Sequence, residues 1–164
     1  MGNPDTVKLV QSILTPVDKM DGDSLPVSAF EDYVDGQFAL GASAYEKRGV
    51  AVTVPAWDET KCIQCNNCAY VCPHATIRPF ALTEEEAAKA PAGAKIVPVK
   101  AGKGKGVYSY TMAVSPLDCM GCAVCVGVCP TNALTMVPQE SQLQQQDVFQ
   151  YMVSSVAREE RNAG

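Results

Sequence analysis

Residues 62–73 read Cys-Ile-Gln-Cys-Asn-Asn-Cys-Ala-Tyr-Val-Cys-Pro, and residues 119–130 read Cys-Met-Gly-Cys-Ala-Val-Cys-Val-Gly-Val-Cys-Pro. Both runs have the spacing C-x2-C-x2-C-x3-C-P, and together they contain all 8 cysteines of the chain. This spacing is typical of bacterial sequences that bind a 4Fe–4S cubane. Two complete copies with no cysteine left over therefore predict two such clusters.

The spacing within each run also predicts which cysteines share a cluster. The first three lie in a tight loop that can wrap three corners of one cubane. The fourth is expected at the start of a helix facing away, with the following proline in its first turn, so it reaches the partner cluster. Cluster I is thus assigned to Cys62, Cys65, Cys68 and Cys129, and cluster II to Cys119, Cys122, Cys125 and Cys72.

Two other uses of these cysteines are weaker interpretations. Four disulfides would suit a small secreted domain, but we identify no signal peptide, and the runs are too regular for a disulfide framework. Zinc sites usually join C-x2-C pairs across a longer spacer, often with histidine, and need no cysteine before proline. The regular duplication favours the iron–sulfur prediction over both.

The composition limits the class of protein. A length of 164 residues allows one domain, or one small domain with extensions, and 47% hydrophobic residues exclude wholesale disorder. A net charge of −5 disfavours nucleic acid as a partner, and no run of eighteen apolar residues predicts a membrane span. Ligand-type cysteines in this number predict a cytoplasmic, reducing and anaerobic setting.

Secondary structure outside the runs is predicted from periodicity and turn residues. The predicted segments are an amphipathic helix over 6–14 ended by Thr15-Pro16, a strand over 50–55, a helix over 83–89 with a capping box from Thr83 to Glu86, and two strands over 96–99 and 107–114. The last two strands form an inserted hairpin whose tip, 100–106, is rich in lysine and glycine. Lys95, Lys100, Lys103 and Lys105 form either a docking patch for an acidic carrier protein or a solvated loop tip.

The sequence is internally duplicated, with Cys62 and Cys119 at equivalent positions. A short helix start (73–75 and 130–132) and a strand (76–79 and 134–137) follow each run. A final helix is predicted over 141–161. Its apolar stripe either folds back or docks on something outside the chain, and we expect the part formed by Val148, Phe149, Met152, Val153 and Val156 to be exposed and frayed in isolation.

Three residues near the runs have predicted roles. His74, the single histidine, is expected near cluster II as a helix-start residue rather than a ligand, because cysteine completes both sets. Trp57 is expected to shield the first cluster loop from water rather than act as an electron stepping stone. Tyr70, inside the first run, is expected to pack against a cluster.

The surroundings of the runs resemble pyruvate:ferredoxin (flavodoxin) oxidoreductase, specifically its ferredoxin-like domain and the small linker domain before it. The resemblance extends from about residue 8 to residue 156. It is carried by Glu46-Lys47-Arg48-Gly49, by Val54-Pro55-Ala56-Trp57, and by further segments at 25–30, 36–41 and 117–122.

The resemblance implies that the chain is the electron-transfer part of a longer enzyme that oxidises pyruvate with thiamine diphosphate. The two clusters would relay single electrons to soluble ferredoxin or flavodoxin, with no catalytic residues and no thiamine site in this chain. The isolated chain is therefore expected to lack pyruvate-oxidising activity. Two alternatives remain: a separate electron-transfer subunit of another 2-oxoacid oxidoreductase, or a structural module whose clusters only hold an interaction surface.

The expected fold is α+β: a bacterial two-cluster ferredoxin-like fold with an inserted hairpin, a small N-terminal linker domain and a C-terminal helix. The predicted divisions are an N-terminal helix and linker over 1–24, the small linker domain over 25–57, the two-cluster domain over 58–138 and the C-terminal helix over 139–164.

Overall fold

The computed structural model describes residues 4–100 and 108–156. Within it the chain separates into two compact units, Met1–Arg48 and Gly49–Gly164. The fourfold division expected from the sequence stays a prediction. The predicted hairpin tip beyond Lys100 and the end of the predicted final helix beyond Val156 lie outside the described residues.

The N-terminal unit is helical and has a sparse core. It begins with α1 (Pro4–Leu9), a π-helical turn (Val10–Leu14) and α2 (Thr15–Asp18), and continues in short 3-10 helices at Gly22–Ser24, Val27–Tyr33 and Ala42–Tyr45. Leu9 and Ile13 are buried, and Tyr33 stacks on Phe38 with ring centroids 5.1 Å apart. The Lys8 ammonium pairs with the Asp32 carboxylate.

The expected end of the first helix at Thr15-Pro16 is wrong, because the helical run continues to Asp18. The π-helical turn explains why proline is tolerated there. The Thr15 N–H bonds the carbonyl of Val10, one residue further back than in an α-helix, and Pro16 then occupies the first turn of α2, where a missing N–H costs little.

The C-terminal unit contains two small antiparallel sheets and confirms the α+β class. In the first sheet β1 (Thr53–Trp57) pairs with β5 (Leu134–Pro138). In the second, β4 (Ser109–Val114) lies between β2 (Ile77–Leu82) and β3 (Val97–Pro98). Each long pairing therefore joins a strand next to one cysteine run with a strand next to the other.

Four helices accompany the sheets: α3 (Asn67–Tyr70), α4 (Glu84–Ala88), α5 (Val124–Gly127) and α6 (Gln145–Ser155), with a 3-10 turn at Gln139–Gln142. The predicted capping box of α4 is confirmed. The Glu86 N–H donates to the Thr83 hydroxyl, and the Glu86 carboxylate accepts from the Thr83 N–H at 2.8 Å. Across the described residues, no helix has the length and apolar character needed to cross a bilayer.

The C-terminal helix folds back onto the second sheet. Val148, Phe149, Met152 and Val156 are buried with Leu82 of β2 and Ala113 of β4, and the Tyr151 hydroxyl donates to the carbonyl of Glu86 at 2.7 Å. The expectation of an exposed, frayed stripe is therefore wrong. The outer face of the sheet supplies the apolar surface that the helix needs.

Candidate iron–sulfur centre

The two cysteine runs fold into loops of the same shape because equivalent residues adopt left-handed backbone. Gln64 and Asn66 have φ of 60° and 61°, and their counterparts Gly121 and Ala123 have φ of 70° and 60°. This turns each loop so that a backbone N–H points at the first cysteine sulfur. Gln64 donates to Cys62 Sγ at 3.4 Å, and Gly121 donates to Cys119 Sγ at the same distance.

The fourth cysteine of each run follows a helical turn instead of starting one, so the predicted helix starts at 73–75 and 130–132 are wrong. Cys72 comes after α3, and Ala75 and Asn132 have φ of 50° and 52°, a left-handed conformation that a helix cannot contain. The result is a turn that aims an N–H at the fourth sulfur: Thr76 donates to Cys72 Sγ at 3.3 Å, and Ala133 donates to Cys129 Sγ at 3.2 Å.

The β2–β4 pairing brings Cys72 beside the second run. Ile77 pairs with Val114, and the Ser115 N–H donates to the carbonyl of Thr76 at 2.7 Å, so the chains entering β2 and leaving β4 run together. Cys72, Cys119, Cys122 and Cys125 consequently line one cavity, together with His74 and Pro55. These are the four cysteines expected to bind cluster II.

The β1–β5 pairing repeats this arrangement for the other set. Trp57 pairs with Leu134, and the Asp58 N–H donates to the carbonyl of Ala133 at 2.8 Å. Cys62 lies 5 residues after Trp57 and Cys129 lies 5 before Leu134, the same offsets that separate Cys119 and Cys72 from the paired ends of β4 and β2. From this repeat we expect Cys129 to lie beside the first run, as Cys72 lies beside the second.

The pKa of the thiol is shifted in opposite directions at the third and at the fourth cysteine of each run. Burial raises the pKa of Cys68 to about 12 and that of Cys125 to about 11, reinforced by neighbouring cysteines of both runs. For Cys72 and Cys129 burial acts in the same direction, but hydrogen bonds from Thr76 and from Thr131 and Ala133 outweigh it and lower the pKa of each thiol. Because their raised pKa values keep the free thiols of Cys68 and Cys125 protonated, binding of iron by their thiolates releases protons.

The arrangement of the sulfurs fits a cubane. All eight cysteines are free thiols, and the second set surrounds a cavity. In residues 4–100 and 108–156, no three His, Cys, Asp or Glu side chains converge closely enough to hold a single metal ion. A cubane needs its ligands spread around a body of eight atoms, and a loop with inward-pointing N–H groups stabilises the negative charge on its sulfurs.

The aromatic neighbours of the site are partly those expected. Trp57 is buried with Tyr110, Ile77 and Cys125, and Cys62 and Cys68 pack against this core, as expected of a residue that keeps water from the first loop. Tyr70, by contrast, is 83% exposed, so its predicted packing against a cluster is wrong. Tyr70 ends the short helix α3 with its ring in solvent.

Tyr110 is the residue that the sequence did not reveal. It is buried in β4, its ring packs edge-on against Trp57 at 6.1 Å, and its hydroxyl donates to the Asn66 side chain at 2.8 Å. Burial raises the pKa of Tyr110, with the cysteines of the first run adding to the effect, so the phenol stays protonated and can donate. No spacing signal links Tyr110 to Asn66, because they are 44 residues apart.

His74, Lys95 and Lys100, which were singled out in the sequence, all lie close to the cysteine runs. His74 lines the cavity of the second cysteine set from an exposed turn. Lys95 donates to the carbonyl of Trp57 at 2.7 Å and pairs with Glu59, and Lys100 donates to the carbonyl of Cys62 at 2.8 Å. Lys103 and Lys105 lie outside the described residues. Lys95 and Lys100, two lysines of the suggested docking patch, therefore form hydrogen bonds to the backbone just before and within the first cysteine run.

Gly121 is a position where only glycine fits. A Cβ there would lie 3.0 Å from the backbone oxygen of Thr53, on a backbone with φ of 70°. We expect Gly121→Ala to destabilise the folded protein by about 1–3 kcal/mol from backbone strain, plus a steric cost at Thr53. Urea unfolding and iron content per chain measure the effect. Gly127→Ala is the matched control, because nothing lies within 4 Å of a Cβ added at that position. Equal losses of stability in both variants would contradict the prediction.

Comparison with protein families gives two matches. Residues 61–133 match the family described as a 4Fe–4S dicluster domain, which covers both cysteine runs. Residues 2–51 match the EKR family, described as a domain of unknown function. The first match shows that the two cysteine runs bind two 4Fe–4S clusters, as predicted, while the residue-by-residue ligand assignment stays a prediction.

Comparison with curated proteins gives long, similar segments. The chain is 50% identical over 147 residues to a pyruvate-flavodoxin oxidoreductase of Enterobacter agglomerans, covering 88% of this chain and 12% of that protein. It is 45% identical over 135 residues to the pyruvate:ferredoxin oxidoreductase of Moorella thermoacetica, covering 81% and 11%. It is also 49% identical over 132 residues to a pyruvate dehydrogenase [NADP(+)] of Cryptosporidium parvum, covering 80% and 7%. The chain thus spans about a tenth of the length of these relatives.

Proposed function

The chain is an electron-transfer module homologous to a segment of the pyruvate-flavodoxin oxidoreductases, and on this premise we propose that it relays single electrons from the pyruvate site of such an enzyme to a soluble flavodoxin or ferredoxin. The observation that carries the proposal is the contact between the two cysteine sets. Cys68 of the first run packs against the buried core that contains Cys125 of the second, and α3 packs on α5. Two centres held this closely suit transfer from one to the other.

We propose that Cys62, Cys65, Cys68 and Cys129 hold cluster I and that Cys119, Cys122, Cys125 and Cys72 hold cluster II. When bound, the clusters supply one-electron redox chemistry. The chain's own contribution is positional. The left-handed residues 64, 66, 121 and 123 fix the loops, the N–H groups of Thr76 and Ala133 stabilise the thiolates of the crossing cysteines, and Trp57 and Tyr110 keep water from the core between the runs. Ligands held in loops of fixed shape need little rearrangement when an electron arrives.

The wider assembly belongs to the same proposal. Further domains of such an oxidoreductase would bind pyruvate and thiamine diphosphate, and residues 25–57 would link them to the two-cluster domain. The antiparallel strands β3 and β4 would be the two arms of a hairpin inserted between the two halves of the ferredoxin-like domain. The expected setting is an anaerobic cytoplasm. The lengths of the relatives support a larger partner, because this chain matches about 12% of the Enterobacter agglomerans protein.

An electron-transfer assay with the isolated chain tests the proposal. The chain, loaded with iron and sulfide without oxygen and then reduced with dithionite, should pass about two electrons to oxidised flavodoxin or ferredoxin, one from each cluster. Visible absorbance of both partners follows the transfer. The oxidised chain given pyruvate and thiamine diphosphate should stay oxidised. Pyruvate-dependent reduction by this chain alone would overturn the proposal, as would a reduced chain that transfers nothing to either carrier.

A further inference from the structure

The two cysteine loops differ at their left-handed positions. In the second loop these positions carry Gly121 and Ala123, which have no polar side chain. In the first loop they carry Gln64 and Asn66, and both side chains bond to the segment inserted between the runs. The two loops therefore have the same backbone shape but different side-chain contacts, because these hydrogen bonds form at the first loop and not at the second.

Gln64 holds the inserted segment by two hydrogen bonds. Its side-chain amide donates to the carbonyl of Pro98 at 2.9 Å and accepts from the N–H of Lys100 at 2.7 Å. A planar amide that bonds two backbone groups in this way fixes the direction of the strand beyond β3. The Tyr110 hydroxyl adds a second tie from β4 to Asn66. These hydrogen bonds hold residues 98–100 next to the loop that starts at Cys62.

This anchor places the ammonium group of Lys100 on the backbone of a cysteine in the first run. Lys100 Nζ donates to the carbonyl of Cys62 at 2.8 Å. Within residues 4–100 and 108–156, no carboxylate forms an ion pair with Lys100, whereas Lys61 pairs with Asp58 at 3.0 Å and Lys95 with Glu59 at 2.9 Å. Among the described residues, no ion pair therefore neutralises the charge that Lys100 brings to this loop.

The second loop has a different charge environment. Asp118 directly precedes Cys119 and accepts a hydrogen bond from Ser115 at 2.6 Å. A carboxylate therefore lies next to the first cysteine of the second loop, whereas an ammonium group contacts the first cysteine of the first loop.

We propose that Lys100, held in place by Gln64, is a positioning residue that raises the reduction potential of the cluster at the first loop and sets it apart from the second. Reduction adds one negative charge to a cluster, and a positive charge held beside the loop stabilises the reduced state, by an amount that solvent limits because Lys100 is exposed. The inference rests on the ligand assignment proposed above, but not on the electron donor or acceptor. The inserted segment would in this way determine which of the two clusters has the higher reduction potential.

A redox titration of the cluster-loaded chain, followed by electron paramagnetic resonance, tests the inference. Lys100→Met should move one of the two midpoint potentials to a more negative value and move the other clearly less. Lys100→Arg keeps the charge and should restore the potential. Gln64→Ala should shift the same potential in the same direction by a smaller amount, because the ammonium is then less firmly held. Cys65→Ser changes a predicted ligand of cluster I and should move that same transition.

Lys89→Met is the charge-matched control, since Lys89 caps the exposed end of α4 in the same unit. It should leave both potentials unchanged. An unshifted Lys100→Met, an equal shift of both potentials, or an equal shift in Lys89→Met would each overturn the inference. If Lys100→Met does not retain iron, Gln64→Ala decides, and its failure to shift a potential overturns the inference. Iron content and transfer to the carrier separate these outcomes from a failure of the proposed function.

Discussion

Replacing Cys72 with alanine should abolish cluster II, although Cys72 belongs to the first cysteine run. Iron should fall from about eight to about four atoms per chain, with acid-labile sulfide in proportion. The reason is geometric. The β2–β4 pairing and the hydrogen bond from Ser115 to Thr76 bring Cys72 to the cavity lined by Cys119, Cys122 and Cys125. Without Cys72, the site offers three of the four thiolates that a cubane binds, so the cluster is no longer held.

Cys129→Ala is the reciprocal experiment and should abolish cluster I. The two variants must leave different clusters, distinguishable by their paramagnetic resonance spectra and by their potentials. In each variant, the remaining cluster should be lost when one of its own cysteines is also replaced. Cys72→Ala combined with Cys65→Ala should therefore retain almost no iron. If Cys72→Ala spares the cluster at Cys119, Cys122 and Cys125, the crossed assignment is wrong.

Replacing Met152 with alanine should destabilise the folded C-terminal unit by about 2–5 kcal/mol, a large share of the stability of a domain of this size. Met152 is fully buried, and it lies with Leu82 and Ala113 in the core between α6 and the second sheet. Truncation removes apolar contacts and leaves a cavity that the surrounding strands cannot fill completely. The midpoint of urea unfolding of the cluster-loaded chain, measured without oxygen, reports the loss.

Leu143→Ala is the matched control for the same region, because Leu143 is 46% exposed just before α6. It should change the free energy of unfolding by less than about 0.5 kcal/mol. Hydrogen exchange adds a local measurement: amides of Gln145–Ser155 should lose protection in Met152→Ala and keep it in Leu143→Ala. Similar behaviour of the two variants would mean that α6 does not dock as described.

The sequence was sufficient for features that depend on residues close together in the chain. The spacing within 62–73 and 119–130 predicted two clusters, since covalent spacing alone decides which thiols a short loop can present to one cubane. The capping box of Thr83 and Glu86 was predictable for the same reason, because both hydrogen bonds form within one helical turn. Local periodicity failed at Pro16, where a π-helical turn accommodates the proline, and at 73–75, where left-handed Ala75 replaces a helix start.

Tertiary structure alone decided which side chains surround the site. The apolar pattern of α6 required a partner surface, but only the folded β2–β4 pair, with Leu82 and Ala113 on the face toward α6, determined that the partner lies within the chain. Tyr110 reaches Asn66 across 44 residues, and Lys100 reaches Cys62 across 38. A sequence pattern carries no signal for such contacts, because burial and hydrogen-bond partners depend on strands that pair after long separations. The cysteine spacing thus determined the cofactors, and strand pairing determined the protein environment around them.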